Sequence, residues 1–137
     1  MLYEKFEKLE KLLEGEEYFE GGVTYCLSFH KLNSTLSLND SLIEQLIELE
    51  VIDLINTNGE INVISVQQPK MELKKLCDEW HIHKKISDKI LELINDEIKM
   101  YKFCEDYVYV SSGVVSEIYR IIETEEERIL IDFYITD

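Results

Sequence analysis

Arg128-Ile129-Leu130-Ile131-Asp132-Phe133-Tyr134-Ile135-Thr136 is the stretch that decides the fold. Ile129, Ile131, Phe133 and Ile135 recur at every second position, the period at which side chains of a strand share one face. Arg128, Leu130, Asp132 and Tyr134 take the other face and are more polar. A strand with one wholly apolar face must rest on apolar partners, which predicts a sheet packed on helices.

Working outward, Val114 to Ile122 reads as a longer strand, and Tyr107 to Ser111 as a short one joined to it by a turn at Ser112-Gly113. Together they predict a C-terminal β-meander. Further upstream, Val23 to His30 is rich in β-formers, with Val23, Tyr25, Leu27 and Phe29 on one face. Asn58-Gly59 stands between Val51–Asn56 and Ile61–Val66. Asn-Gly supplies the positive φ angles of a type I′ turn, so a hairpin is predicted there.

Helical periodicity fills the gaps. Leu2, Phe6, Leu9 and Leu13 recur at three- and four-residue spacing with Glu and Lys between them, and Gly15 stops that helix. A second helix runs from about Asp40 to Leu49, capped by Ser37 or Asn39, with Leu42, Ile43, Leu46 and Ile47 apolar. Pro69 fits the first position of a third, ending near Trp80. Ser87-Asp88 caps a fourth, whose Ile90, Ile94 and Ile98 lie on one stripe. The expectation is an α+β fold, about four helices on a mostly antiparallel sheet, forming a single domain over residues 1–137.

Composition narrows the function. Three cysteines, Cys26, Cys77 and Cys104, have no paired spacing, which points to free thiols in a reducing compartment. No apolar run reaches the length of a membrane span, and the N-terminus lacks the apolar core of a signal peptide, so a soluble, cytoplasmic protein is expected. There is no alanine, and 12 Lys stand against 2 Arg. Alanine is the best helix former, so folding does not exclude it. An AT-rich coding sequence does, as found in low-GC bacteria and their phages and plasmids.

The net charge of −15 is the strongest signal. It opposes binding to nucleic acid or an anionic membrane, which need cations against phosphate. It favours encounter with a basic partner. Glu123, Glu125, Glu126 and Glu127 crowd the turn before the last strand, and Glu14, Glu16, Glu17 and Glu20 follow the first helix. Either cluster is a solubilising loop or a docking element for a basic groove. Tyr119 and Tyr134, with Tyr107 and Tyr109, are the aromatic anchors that neighbouring strands would add.

No catalytic signature is present: no G-x-S-x-G, no P-loop, no G-x-G-x-x-G and no H-E-x-x-H. Asp53 and Glu60 have the order of a metal-dependent nuclease pair. That chemistry wants a lysine two residues after the glutamate, and Asn62 stands there. Cys26 and His30, four apart on a strand, are ~13 Å from each other and do not share an ion. Cys77 and His81 would share a helix face, with His83 following, but they fall short of the four ligands of structural zinc. No cofactor and no metal are expected.

The reading that results is a small acidic inhibitor, not an enzyme, that covers the basic surface of a nuclease or another nucleic-acid enzyme. An immunity protein against a nuclease toxin fits, as does a phage anti-defence protein. Two alternatives come from other classes. One is a winged-helix regulator, since a helix to Leu49 precedes the Asn58-Gly59 hairpin, although that helix carries Asp40, Glu44, Glu48 and Glu50 and no cation. The other is a metal enzyme using Cys77, His81 and His83.

Overall fold

The decisive strand occupies the middle of one six-stranded sheet in the computed structural model. Its order is β1-β2-β6-β5-β4-β3, with β1 at Tyr18–Glu20, β2 at Val23–Lys31, β3 at Val63–Val66, β4 at Lys99–Phe103, β5 at Val114–Glu123 and β6 at Arg128–Thr136. Every neighbouring pair is antiparallel. Four helices pack on it: α1 (Leu2–Leu13), α2 (Leu38–Glu48), α3 (Pro69–Glu79) and α4 (Lys84–Leu93). The structure describes residues 1–51, 58–95, 97–103 and 114–136, the first three of the last stretch by backbone alone.

The predicted alternation holds and builds two cores. Ile129, Ile131 and Phe133 of β6 meet Ile118 and Ile122 of β5 and Leu27 and Phe29 of β2. Onto that face pack Phe6, Leu9 and Leu13 of α1, Leu73, Leu76 and Cys77 of α3, and Ile86 and Ile90 of α4. Phe6 stacks on Phe29 with centroids 4.6 Å apart. The reverse face is not left to water. Leu130 of β6 joins Tyr119, Ile121 and Phe103 beneath Leu42 and Leu46 of α2. The sheet is thus covered on both sides, which one apolar strand face did not predict.

Local chemistry explains the boundaries. Ser37 caps α2, its hydroxyl accepting from the Asp40 N–H at 3.0 Å. Pro69 opens α3, as its missing N–H allows. The start of α4 is four residues earlier than a Ser87 cap implies. His83 is its cap, with Nδ1 accepting from the Lys85 N–H at 3.2 Å, and Ser87 is buried inside the helix. Ile94 ends that helix and Ile98 lies beyond it, yet both stay in the same core. The C-terminal end of α3 closes with His81 in the left-handed region at φ 54°. Tyr18 stacks on that ring at 4.3 Å.

The hairpin predicted around Asn58-Gly59 is half covered by the description. Gly59 does take a positive φ of 72°. Its downstream strand β3 pairs with β4 and closes one end of the sheet, while residues 52–57 lie outside the described residues. So do the predicted strand Tyr107–Ser111, its Ser112-Gly113 turn, Cys104 and Asp53. The helix of the winged-helix alternative, α2, buries Leu42 and Leu46 on the sheet. Among the described residues no helix is long and apolar enough to cross a membrane.

Candidate functional site

The turn between β5 and β6 sorts its four glutamates into two roles. Thr124 organises it: its Oγ1 accepts from the Glu126 and Glu127 N–H groups at 3.3 and 3.0 Å, and its own N–H donates to the Glu127 carbonyl at 2.8 Å. That geometry turns the Glu127 side chain inward. Its carboxylate accepts from the backbone N–H groups of Leu2 at 2.7 Å and Tyr3 at 3.0 Å, and only 4% of the residue is exposed. These are the free donors at the positive end of α1, where a carboxylate is favoured.

Glu123 is also engaged. It accepts from Arg128 Nε at 2.8 Å. Arg128 spends its other end on the loop before α2, donating to the Leu36 carbonyl at 2.9 Å and to Ser41 Oγ at 3.1 Å. Of the four expected docking residues, only Glu125 and Glu126 face solvent without such a task. They gain a neighbour from elsewhere in the chain. Glu97, placed by its N–H donating to Asn95 Oδ1 at 2.8 Å, lines with them a surface cavity of about 460 Å³ floored by Leu2, Leu93 and Ile98.

The second cluster also divides. Glu14 and Glu17 line a smaller cavity of about 160 Å³ with Glu10, Cys26, Ser28 and Tyr134. Tyr134, one expected anchor, is half-buried there. Burial, then the neighbouring Cys26 and Asp132, push its phenol up to about 12. Glu10 covers the edge of β2, accepting from the Phe29 N–H at 2.7 Å. Burial raises its acid range, with Glu7 and Glu14 adding to the effect against the opposing hydrogen bond. Glu16 sits in a separate groove with Leu12, His83 and Lys89. Glu20 is exposed and accepts from the Tyr18 hydroxyl at 2.6 Å.

Tyr119, the other expected anchor, is fully buried and stacks on Phe103 at 5.5 Å. It cannot reach a partner. The alternation of β5 placed it on the face that α2 covers, which was not visible while that face was expected to be open. Tyr107 and Tyr109 lie outside the described residues.

The sulfur and imidazole candidates for metal are each committed to other contacts. Cys77 is in the core, its thiol pushed up to about 12 by burial. His81 packs between Tyr18 and Tyr25, and His83 caps α4. Among the described residues no three His, Cys, Asp or Glu side chains are disposed to hold an ion.

Sequence reading missed one polar group. Glu117 of β5 and Asp132 of β6 are both buried, at 5% and 6% exposure, on the α2 side of the sheet. Tyr119 donates its hydroxyl to Glu117 Oε2 at 2.5 Å. Asp132 stands diagonally from Glu117 across the β5–β6 pair, and its Oδ1 has no hydrogen-bond partner. Across the register, Asp132 faces Tyr119 on one side and Ser28 on the other. Burial and the adjacent Glu117 raise Asp132 well above the usual carboxylate range. The available signal was an acid at the same parity as buried Leu130.

Comparison with known proteins adds no family. No family model matches the chain. No curated protein matches it either. Two crystal structures of citrus MAF1 are similar in fold at 10% and 9% identity, with TM-scores of 0.47 and 0.48, each over 96% of this chain and 98% of that one. Likeness at this level transfers no function.

Proposed function

We propose that this chain is a cytoplasmic protein-binding inhibitor that covers a basic surface of a nucleic-acid-acting enzyme. The observation that carries the reading is the cavity beside the β5–β6 turn. Glu97, Glu125 and Glu126 rim it, and Leu2, Leu93 and Ile98 form its floor. An arginine or lysine has an aliphatic stem and a cationic head, so it suits an apolar floor under an acidic rim. A partner that presents such side chains to nucleic-acid phosphates would present them equally to these carboxylates. Inhibition is then steric and electrostatic: carboxylates stand where substrate phosphates would lie.

The net charge of −15 adds long-range attraction to that contact and speeds encounter. An immunity protein against a nuclease toxin and a phage anti-defence protein both require this chemistry. The alanine-free, lysine-rich composition supports an origin on such mobile elements.

The test is capture of partners from lysate of the source organism at low and high salt, followed by charge reversal. Glu97, Glu125 and Glu126 are each changed to Lys, leaving Glu123 and Glu127 intact because both hold the fold. A salt-released basic partner whose affinity falls at least tenfold in the triple variant supports the reading. Affinity unchanged by the reversal removes this cavity as the docking element.

A further inference from the structure

The buried acids Glu117 of β5 and Asp132 of β6 stand on adjacent central strands. Among the described residues no ion pair reaches either carboxyl; Lys74 pairs with Asp78, Arg120 with Glu72 and Arg128 with Glu123. Residues 52–57 and 104–116 contain no Lys, Arg or His, so those segments cannot supply a cation. The groups that do face the pair are known from each element. Strand β2 contributes Cys26, Ser28 and His30 on that face, β5 contributes Tyr119, and β6 contributes Tyr134.

His30, hydrogen-bonded to Ser28 at 3.1 Å, feels Glu117 and also Glu48 of α2. Burial nevertheless lowers its basicity, so it is neutral at pH 7. Glu10 of α1 acts on Tyr134 and adds further negative charge. Two carboxylates side by side in such surroundings cannot both ionise at tolerable cost.

We propose that Glu117 and Asp132 form a one-proton lock across β5 and β6. The Asp132 O–H donates to the Glu117 carboxylate, which also accepts from the Tyr119 hydroxyl. The arrangement accounts for the orphaned Asp132 Oδ1, because the carbonyl oxygen of a neutral acid is far cheaper to leave unpaired than a carboxylate oxygen. When base removes the proton, it leaves to solvent and two adjacent charges remain buried. The α2-side face of β5 and β6 then loosens, which makes the protein a sensor of rising pH.

The sign follows from linkage. Below about pH 4, the range of an unfolded aspartate, both states hold the proton. Above that the folded state keeps a proton that the unfolded state has lost, so folding weakens by up to tenfold per pH unit until the lock opens. His30 has the opposite sign, but only below its unfolded range of about 6.5, and the thiols of Cys26 and Cys77 share the sign of the acid pair only from about pH 8.5 upward, so measurement at about pH 7–8 isolates the acid pair.

The experiment is denaturant unfolding over that range for the wild-type chain and Asp132→Asn, whose amide donates to Glu117 without a titrating proton. The wild type is expected to lose stability relative to the variant as pH rises, each at the same protein concentration and ionic strength. Infrared spectroscopy of the wild-type chain at neutral pH should show the C=O stretch of a protonated carboxyl, which needs no variant to fold. Parallel pH profiles for the two proteins, or no protonated-carboxyl band at neutral pH, would overturn the lock.

Discussion

Glu127 shows how far residue type alone reaches. As one of four glutamates in a turn it is indistinguishable in sequence from Glu125 and Glu126, yet it spans more than a hundred residues to close the N-terminus of α1. Charged hydrogen bonds to backbone donors contribute about 1.5–3 kcal/mol. Glu127→Ala is therefore expected to lower stability by that amount in urea titration, while Glu125→Ala and Glu126→Ala stay within about 0.5 kcal/mol. Tyr134 offers a second check. Its phenol stays protonated to about 12, above the usual tyrosine range near 10. It contributes stability that is present below that usual range and lost as pH climbs through the folded value. In spectrophotometric titration, Tyr134→Phe should remove the late-ionising component and leave the earlier ones. Which tyrosine would be late was not readable from sequence, because it depends on burial in the fold and then on Cys26, Asp132 and Glu10 arriving from β2, β6 and α1.

Elements were legible where the signal was local. Ser37 before α2, Pro69 at the start of α3 and the two-residue alternation of β6 each act through neighbours within a few residues. Ser37→Ala should cost about 1 kcal/mol, read as a shift of the thermal or urea midpoint. The start of α4 was misplaced for a physical reason. Lys84 and Lys85 oppose the helix dipole at an N-terminus, so local preference favours a start at Ser87-Asp88. Ile86 is buried in the main core, and packing it there draws the cap four residues back, from Ser87 to His83. Tertiary burial outweighs a few tenths of a kcal/mol of dipole energy. The acidic flank of α1 is a related case: Glu7, Glu10 and Glu14 follow helical spacing. The demand that sets their role, a β2 edge N–H needing an acceptor, lies outside the helix.

At the scale of the molecule, one sheet carries two cores, so damage to either should propagate through shared strands. Leu46 and Phe133 sit in opposite cores and are essentially unexposed. Leu46→Ala and Phe133→Ala are each expected to cost about 2–5 kcal/mol and to lower one common unfolding transition, measured by calorimetry, rather than split it. Two separate transitions in either variant would mean that the cores fold independently. The sequence by itself determined the class of this protein: α+β, four amphipathic helices, a strand pair at the C-terminus and a large negative charge. Those follow from periodicity and composition, which act along the chain. Only the tertiary structure decided that α2 covers the second face of the sheet. That placement packs Leu42 and Leu46 against Tyr119, on the face where Glu117 and Asp132 are also buried. It also decided which glutamates remain exposed, because hydrogen-bond demand at distant helix ends and strand edges is met by whichever carboxylate the fold brings within reach.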